Sequence, residues 1–103
     1  MDIGNRPITA TLLLIPGQDF EHEIDMPTGS VVPDGTTVEL IIYDVTVGTV
    51  LATWDATVSS TLISWNVDHA VSDTINLPAN FRIYVHYADG RDVCWYSGQV
   101  ASA

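Results

Sequence analysis

Residues 49–67 read TVLATWDATVSSTLISWNV, and this stretch decides the fold class. Apolar and polar side chains alternate on both sides of a central Ser-Ser pair, with Trp54 in the first run and Trp65 in the second. A period of two is typical of β-strands that bury one face, and a short polar break between two such runs favours a tight turn. We therefore predict that the two tryptophans share one layer of a core. The predicted strands are Thr49–Val58 and Thr61–Val67.

Strand-forming residues dominate the rest of the chain as well. Val, Ile and Thr account for 32 of the 103 residues, and their branched side chains pack well on pleated sheets. Proline and glycine interrupt the chain at short intervals, which is typical of sandwiches and barrels. Five further strands are predicted: Ile8–Leu14, Phe20–Asp25, Thr37–Asp44, Phe81–Tyr87 and Arg91–Ser97.

The predicted fold is all-β, a single antiparallel β-sandwich of about seven strands. A chain of 103 residues has room for one domain. We expect that domain to span residues 1–103, with an N-terminal arm at 1–7 and a short C-terminal tail at 99–103.

Two connections have local signals. At most one short helical turn is expected, near residues 68–78, because the Asp68 carboxylate can cap it and Pro78 would end it. Asp89-Gly90 favours a two-residue type I′ turn between the last two strands. The pairs expected in that hairpin are Ile83 with Tyr96, Tyr84 with Trp95, and Val85 with Cys94.

This register gives a candidate partner-contact surface, formed by Tyr84, His86, Val93 and Trp95. Exposed aromatic side chains that share a face mark contact surfaces. Three interpretations are open for the Tyr84 and Trp95 pair: burial under a loop or neighbouring strand, contact with a protein partner, or contact with a glycan.

The charge is strongly acidic, with thirteen acids, three arginines, no lysine and a net charge of −10. Binding to nucleic acid or to an anionic membrane needs more cationic groups than this, so we expect neither partner. Residues 20–25 alternate acids with less polar side chains, which predicts a half-buried strand with an acidic outer face. The acids form either a solvated surface or a face that docks on a basic partner.

Motifs that carry chemistry are missing from the sequence. His22, His69 and His86 are far apart and belong to no metal-ligand motif, and the chain has no nucleophile elbow or phosphate-binding loop. The single cysteine, Cys94, lies in an apolar stretch and is expected to be a small buried side chain rather than a thiolate. We predict no enzyme, no catalytic residue, no cofactor and no metal. An enzyme fragment is the alternative, and it requires a concave pocket with converging polar groups.

Several turn-and-strand segments match a known pattern in their order and spacing. They are Leu14–Phe20, Pro33–Thr37, Ile42–Asp44, Gly48–Trp54, Phe81–Tyr87 and Cys94–Tyr96. Over about residues 8–98 the chain resembles the LtfC-like β-sandwich proteins of tailed phages of actinobacteria. More distantly it is similar to the N-terminal domain of phage baseplate upper proteins.

The resemblance implies a non-enzymatic virion protein that attaches in many copies to a larger capsid or tail protein. A minor capsid or head decoration protein on the major capsid shell is the favoured interpretation, with a tail or baseplate accessory module as the alternative. A carbohydrate-binding module is a further alternative. The expected location is the outer surface of the virion, where copies could form a homo-oligomer. Synthesis is expected in the bacterial host cytoplasm, because the first residues lack the apolar segment of a signal peptide.

Overall fold

Two β-sheets pack face to face in the computed structural model, which describes residues 8–26, 29, 31–45 and 48–102. The all-β sandwich prediction is confirmed, whereas the predicted arm at 1–7 lies outside the described residues. The elements are β1 (Ile8–Leu14), β2 (Phe20–Asp25), β3 (Thr37–Asp44), β4 (Val50–Asp55), β5 (Thr57–Val58), β6 (Leu62–Val67), α1 (His69–Ser72), β7 (Ala79–His86) and β8 (Asp92–Ser102). In the described part of the chain, no helix is long and apolar enough to cross a membrane.

The large sheet has the strand order β1-β8-β7-β3-β4, and the small sheet has the order β2-β6-β5. Paired strands are antiparallel except β1 and β8, which run parallel. The antiparallel prediction is therefore wrong for this pair. A hairpin turn forces its two strands to be antiparallel, but β1 and β8 are separated by most of the sequence and no turn sets their direction.

The predicted strand Thr49–Val58 is divided between the two sheets, so the described residues form eight strands rather than the predicted seven. The chain crosses from β4 to β5 at Ala56, whose N–H donates to the Val38 carbonyl oxygen at 2.9 Å. Trp54 and Trp65 both lie in the core, so the shared core layer is confirmed. They approach from opposite sheets rather than from neighbouring strands, and the Trp65 indole N–H donates to the Trp54 carbonyl oxygen at 3.0 Å.

The core lies between the sheets and is built from the inward residues of the alternating strands. Leu40, Ile42 and Ile63 are fully buried, and Val38 and Val85 nearly so. Because the core-forming strands bury only one face, their outward residues remain available for contacts with other molecules.

The hairpin between β7 and β8 has a three-residue turn. The Gly90 N–H donates to the Tyr87 carbonyl oxygen at 3.0 Å, and the Tyr87 N–H donates to the Arg91 carbonyl oxygen at 2.8 Å. Gly90 has a φ of +94°, whereas no described non-glycine residue, Asp89 included, has a positive φ. The type I′ prediction is therefore wrong, because that turn needs positive φ at both central residues.

A β-bulge then shifts the register of the same hairpin by one residue. Ile83 pairs with Tyr96 as predicted, but Tyr84 pairs with Cys94, so Trp95 has no partner on β7. The predicted Tyr84–Trp95 pair is therefore wrong. The turn is one residue longer than predicted, so the pairs between the turn and the bulge are shifted by one residue. The extra residue at Trp95 restores the predicted register from Ile83 onwards.

The last strand extends beyond the predicted end at Ser97. Ser97-Gly98 lies inside β8 rather than at a turn, and residues 99–102 belong to the large sheet rather than to a tail. A Cβ atom on Gly98 would overlap the backbone of Ala10 in β1. Glycine is thus required here by the close approach of the parallel neighbour.

Helix α1 is the predicted helical turn. The Asp68 carboxylate accepts the Ala70 N–H at 2.8 Å, which is the predicted N-cap. The helix ends at Ser72, several residues before Pro78, so the proline does not end it.

Candidate interaction surfaces

The outward face of the large sheet carries two of the four predicted contact residues. Tyr84 and His86 are alternate residues of β7, and both are half-buried. Their rings stack with centroids 6.3 Å apart. We call this surface the large-sheet face.

The other two predicted residues lie elsewhere. Val93 pairs with the buried Val85, so it lies on the inner side of the sheet. Trp95, at the bulge, is half-buried and packs against the core. The structure therefore divides the predicted surface, and contact with a partner stays a prediction for all four residues.

Tyr43 and Arg82 also belong to the large-sheet face, although neither was part of the predicted contact surface. The Arg82 guanidinium donates to the Tyr84 hydroxyl at 3.2 Å and lies 5.6 Å from the centre of the Tyr43 ring. Burial, together with the neighbouring Tyr84, raises the pKa of Tyr43. Arg82, Tyr84 and His86 are alternate residues of β7, and this spacing could have added Arg82 to the predicted surface.

His86 bridges three adjacent strands of the large sheet. Its Nδ1 lies 2.7 Å from an Asp92 carboxylate oxygen, and its Nε2 lies 2.9 Å from a Glu39 carboxylate oxygen. Hydrogen bonds to Asp92 and then to Glu39 raise the pKa of His86. The protonated ring donates to both carboxylates, whereas the neutral ring has only one N–H to donate.

Cys94 also lies on the large-sheet face, opposite Tyr84, and is half-buried. Burial raises the pKa of its thiol, and the Cys94 sulfur donates to the Tyr96 carbonyl oxygen at 3.4 Å. A raised pKa favours the thiol over the nucleophilic thiolate.

The small sheet presents a different surface along β2. As predicted, acids alternate with less polar residues, and Glu21, Glu23 and Asp25 are exposed on the outer face. Among the described residues, none of these three acids has an ion-pair partner. We call Glu21, Glu23 and Asp25 the acidic stripe.

Beside β2, His69 and two acids join α1 to the loop at residues 15–19. An Asp19 carboxylate oxygen accepts the His69 backbone N–H at 2.8 Å and lies 2.9 Å from the His69 ring Nδ1. The backbone bond and then the ring bond lower the pKa of Asp19, and the bond to Asp19 raises that of His69. Asp19, Asp68 and His69 form the one group among the described residues whose possible metal-ligand atoms all lie within 4.8 Å of one another. All three side chains are exposed, and both acids already hold backbone N–H groups.

The comparisons with known proteins agree with this architecture. The family model described as the LtfC-like, beta-sandwich domain matches residues 6–103. A comparison with curated proteins finds no match. A match to this family supports a phage-associated structural module. The two packed sheets and a match over nearly the whole chain show that the protein belongs to the family of LtfC-like β-sandwich domains.

Proposed function

We propose that this protein is a non-enzymatic structural component of a phage virion, held in many copies on the major capsid shell as a minor capsid or head decoration protein. The observation that carries the proposal is the family match over residues 6–103. A protein that attaches to the outside of a shell needs a stable fold and an exposed docking surface. It should also have no affinity for the packaged DNA.

The charge supports a place outside the shell. A net charge of −10 repels the phosphates of packaged DNA, whereas it favours a basic protein surface. The acidic stripe lies on exposed side chains, where a partner can reach it.

The sheet edges support attachment through backbone hydrogen bonds. Strands β1 and β4 form the edges of the large sheet, and β2 and β5 form those of the small sheet. An edge strand can add a strand from a partner without a deep pocket. Many weak contacts of this kind on a symmetric lattice hold a protein firmly through avidity.

Two of the three histidines and the cysteine are engaged in structural contacts, which supports a non-enzymatic role. His86 bridges two carboxylates, His69 contacts Asp19, and the thiol of Cys94 has a raised pKa. None of these pairs has the geometry of an activated nucleophile with its base.

A tail or baseplate accessory module is the alternative that the same family membership supports. A carbohydrate-binding module is the further alternative, and the observation that favours it is the pair of tyrosines, Tyr43 and Tyr84, on the large-sheet face. A sugar could stack on such rings.

Mass spectrometry of purified virions, with heads and tails separated, tests these assignments. We expect the protein at a fixed copy number in the head fraction, with density on the major capsid protein. Recovery only with tails would replace the capsid assignment by the tail alternative. Absence from purified particles would overturn the proposal, and binding of a glycan that is lost in Tyr43→Ala/Tyr84→Ala would favour the carbohydrate-binding alternative.

A further inference from the structure

One flank of the sandwich is open between the edge strands β1 and β2. The two strands belong to different sheets and are connected by residues 15–19. A cavity of about 110 Å³ lies between them, enough for one aliphatic side chain. Its lining is mainly apolar and includes Leu12 of β1, Phe20, His22 and Ile24 of β2, and Tyr96 of β8.

The inward residues of β2 are poorly covered on this flank. Ile24 is half-buried, whereas its cross-strand partner Ile63 in β6 is fully buried. His22 is exposed although it pairs with Trp65, which is 3% exposed, and their rings stack 6.3 Å apart. The inner face of β2 is therefore covered on the side of β6 and uncovered on the other side.

The backbone of β2 is uncovered on the same side. In the described sheet β2 pairs with β6 alone, so alternate N–H and C=O groups point towards the flank. The small sheet has three strands facing the five of the large sheet. A fourth strand beside β2 would complete its hydrogen bonds and cover the cavity.

We propose that β2 is the docking strand for an extended segment of a partner protein in which apolar and basic residues alternate. One apolar side chain of that segment enters the cavity, the others cover the inner face of β2, and its Lys or Arg side chains lie beside the acidic stripe. A strand has a period of two, so one segment makes both contacts at once. This inference rests on the proposed function and names the chemistry that the virion partner would present.

Charge selects this occupant over a second copy of the chain. Pairing β2 with another β2 would place Glu21, Glu23 and Asp25 near the same acids of its neighbour. Like charges on neighbouring strands are destabilising, so the added strand must be basic rather than acidic.

Binding of synthetic peptides tests the proposal. The probes are eight-residue peptides in which Arg alternates with Val, Ile, Leu or Phe, and binding is measured by fluorescence anisotropy. We expect binding by members of this set. Two control sets, one with Glu for Arg and one with Ser for the apolar residues, should not bind, because each removes one of the two contacts.

Two charge-matched variants locate the contact. Glu21→Gln/Glu23→Gln should weaken binding of the basic peptides about fivefold, since exposed charge pairs each contribute a fraction of a kcal/mol. Asp34→Asn/Asp55→Asn makes the same change in net charge at exposed positions outside the small sheet and should leave affinity within about twofold. Hydrogen exchange should slow at residues 20–25 when peptide is bound, and not at β4.

The inference is overturned if no Arg-alternating peptide binds, if the Ser controls bind equally well, or if both variants weaken binding equally. Any of these results leaves the proposed function standing if virions contain the protein. Conversely, peptide binding at β2 by a protein absent from virions would overturn the proposed function alone.

Discussion

The central strands β3 and β7 of the large sheet bury their inner faces more completely than the edge strand β2 of the small sheet. In the large sheet, the inward residues of β3 and β7 are at most 4% exposed. In the small sheet, β6 buries Ile63 and Trp65 to a similar degree, but none of the inward residues of β2 is buried.

The outer faces also differ, in whether side-chain hydrogen bonds link neighbouring strands. His86, Glu39 and Asp92 link three strands of the large sheet by hydrogen bonds. The acids of the acidic stripe make no such links to other described side chains. If β2 is the docking strand, stability depends mainly on other strands, and substitutions in the buried strands should lower stability more than substitutions in β2.

The largest effect is expected from a matched pair of isoleucines. Ile63→Ala should cost about 4 kcal/mol, because it leaves a cavity among fully buried side chains. Ile24→Ala, at its half-buried cross-strand partner, should cost about 1–2 kcal/mol. Urea unfolding of both variants measures the difference, and equal losses would show that β2 is as well packed as β6.

Gly98→Ala should cost about 3 kcal/mol, because the new methyl group overlaps the Ala10 backbone and displaces β1. Ser97→Ala, one residue earlier in β8, is the control and should change stability by less than about 0.5 kcal/mol. The measurement is the free energy of unfolding in urea. A Gly98→Ala protein with unchanged stability would contradict the close approach of β1 and β8.

Asp68→Ala tests the connection between the sheets, because α1 lies between β6 and β7. Losing the bond to the Ala70 N–H should cost about 1 kcal/mol. Asp68→Ser keeps a capping oxygen and should recover most of the loss. If alanine and serine give the same thermal midpoint, the cap contributes nothing.

The smallest effect concerns His86 and depends on pH. Because the folded-state pKa is raised, the stabilisation is fully present below about pH 6.5 and is lost as the pH rises through the folded pKa. The side chain is 35% exposed, so solvent screening limits the contribution to about 0.5 kcal/mol. His86→Gln should remove this pH dependence from the unfolding free energy, and a variant with the parent's slope would argue against the bridge.

Strand positions followed from the sequence where only local alternation was needed. Strands β1, β2 and β3 begin and end at the predicted residues, because side-chain periodicity is a property of each segment alone. The division of Thr49–Val58 between sheets was not predictable, since Ala56 fits the alternation of either strand and only its contact with β3 marks the crossing.

The candidate surface was predictable only in part, for a related reason. Tyr84 and His86 lie on one strand, so their common face follows from their spacing. Val93 and Trp95 lie on another strand, and their faces depend on the turn length and on the bulge. A one-residue change in register moves each side chain of the strand to the other face of the sheet. Nothing in the alternation of residues 91–97 indicated the bulge.

The parallel pairing of β1 with β8 has a consequence for the order of folding. The ribosome makes residues 8–14 well before residues 96–102, which are their partners in the large sheet. Loop closure over this separation is slow, and β1 lacks its partner in the large sheet until β8 has been synthesised. The described large sheet is thus complete only after β1 and β8, which are separated in the sequence by the other described strands, have come together.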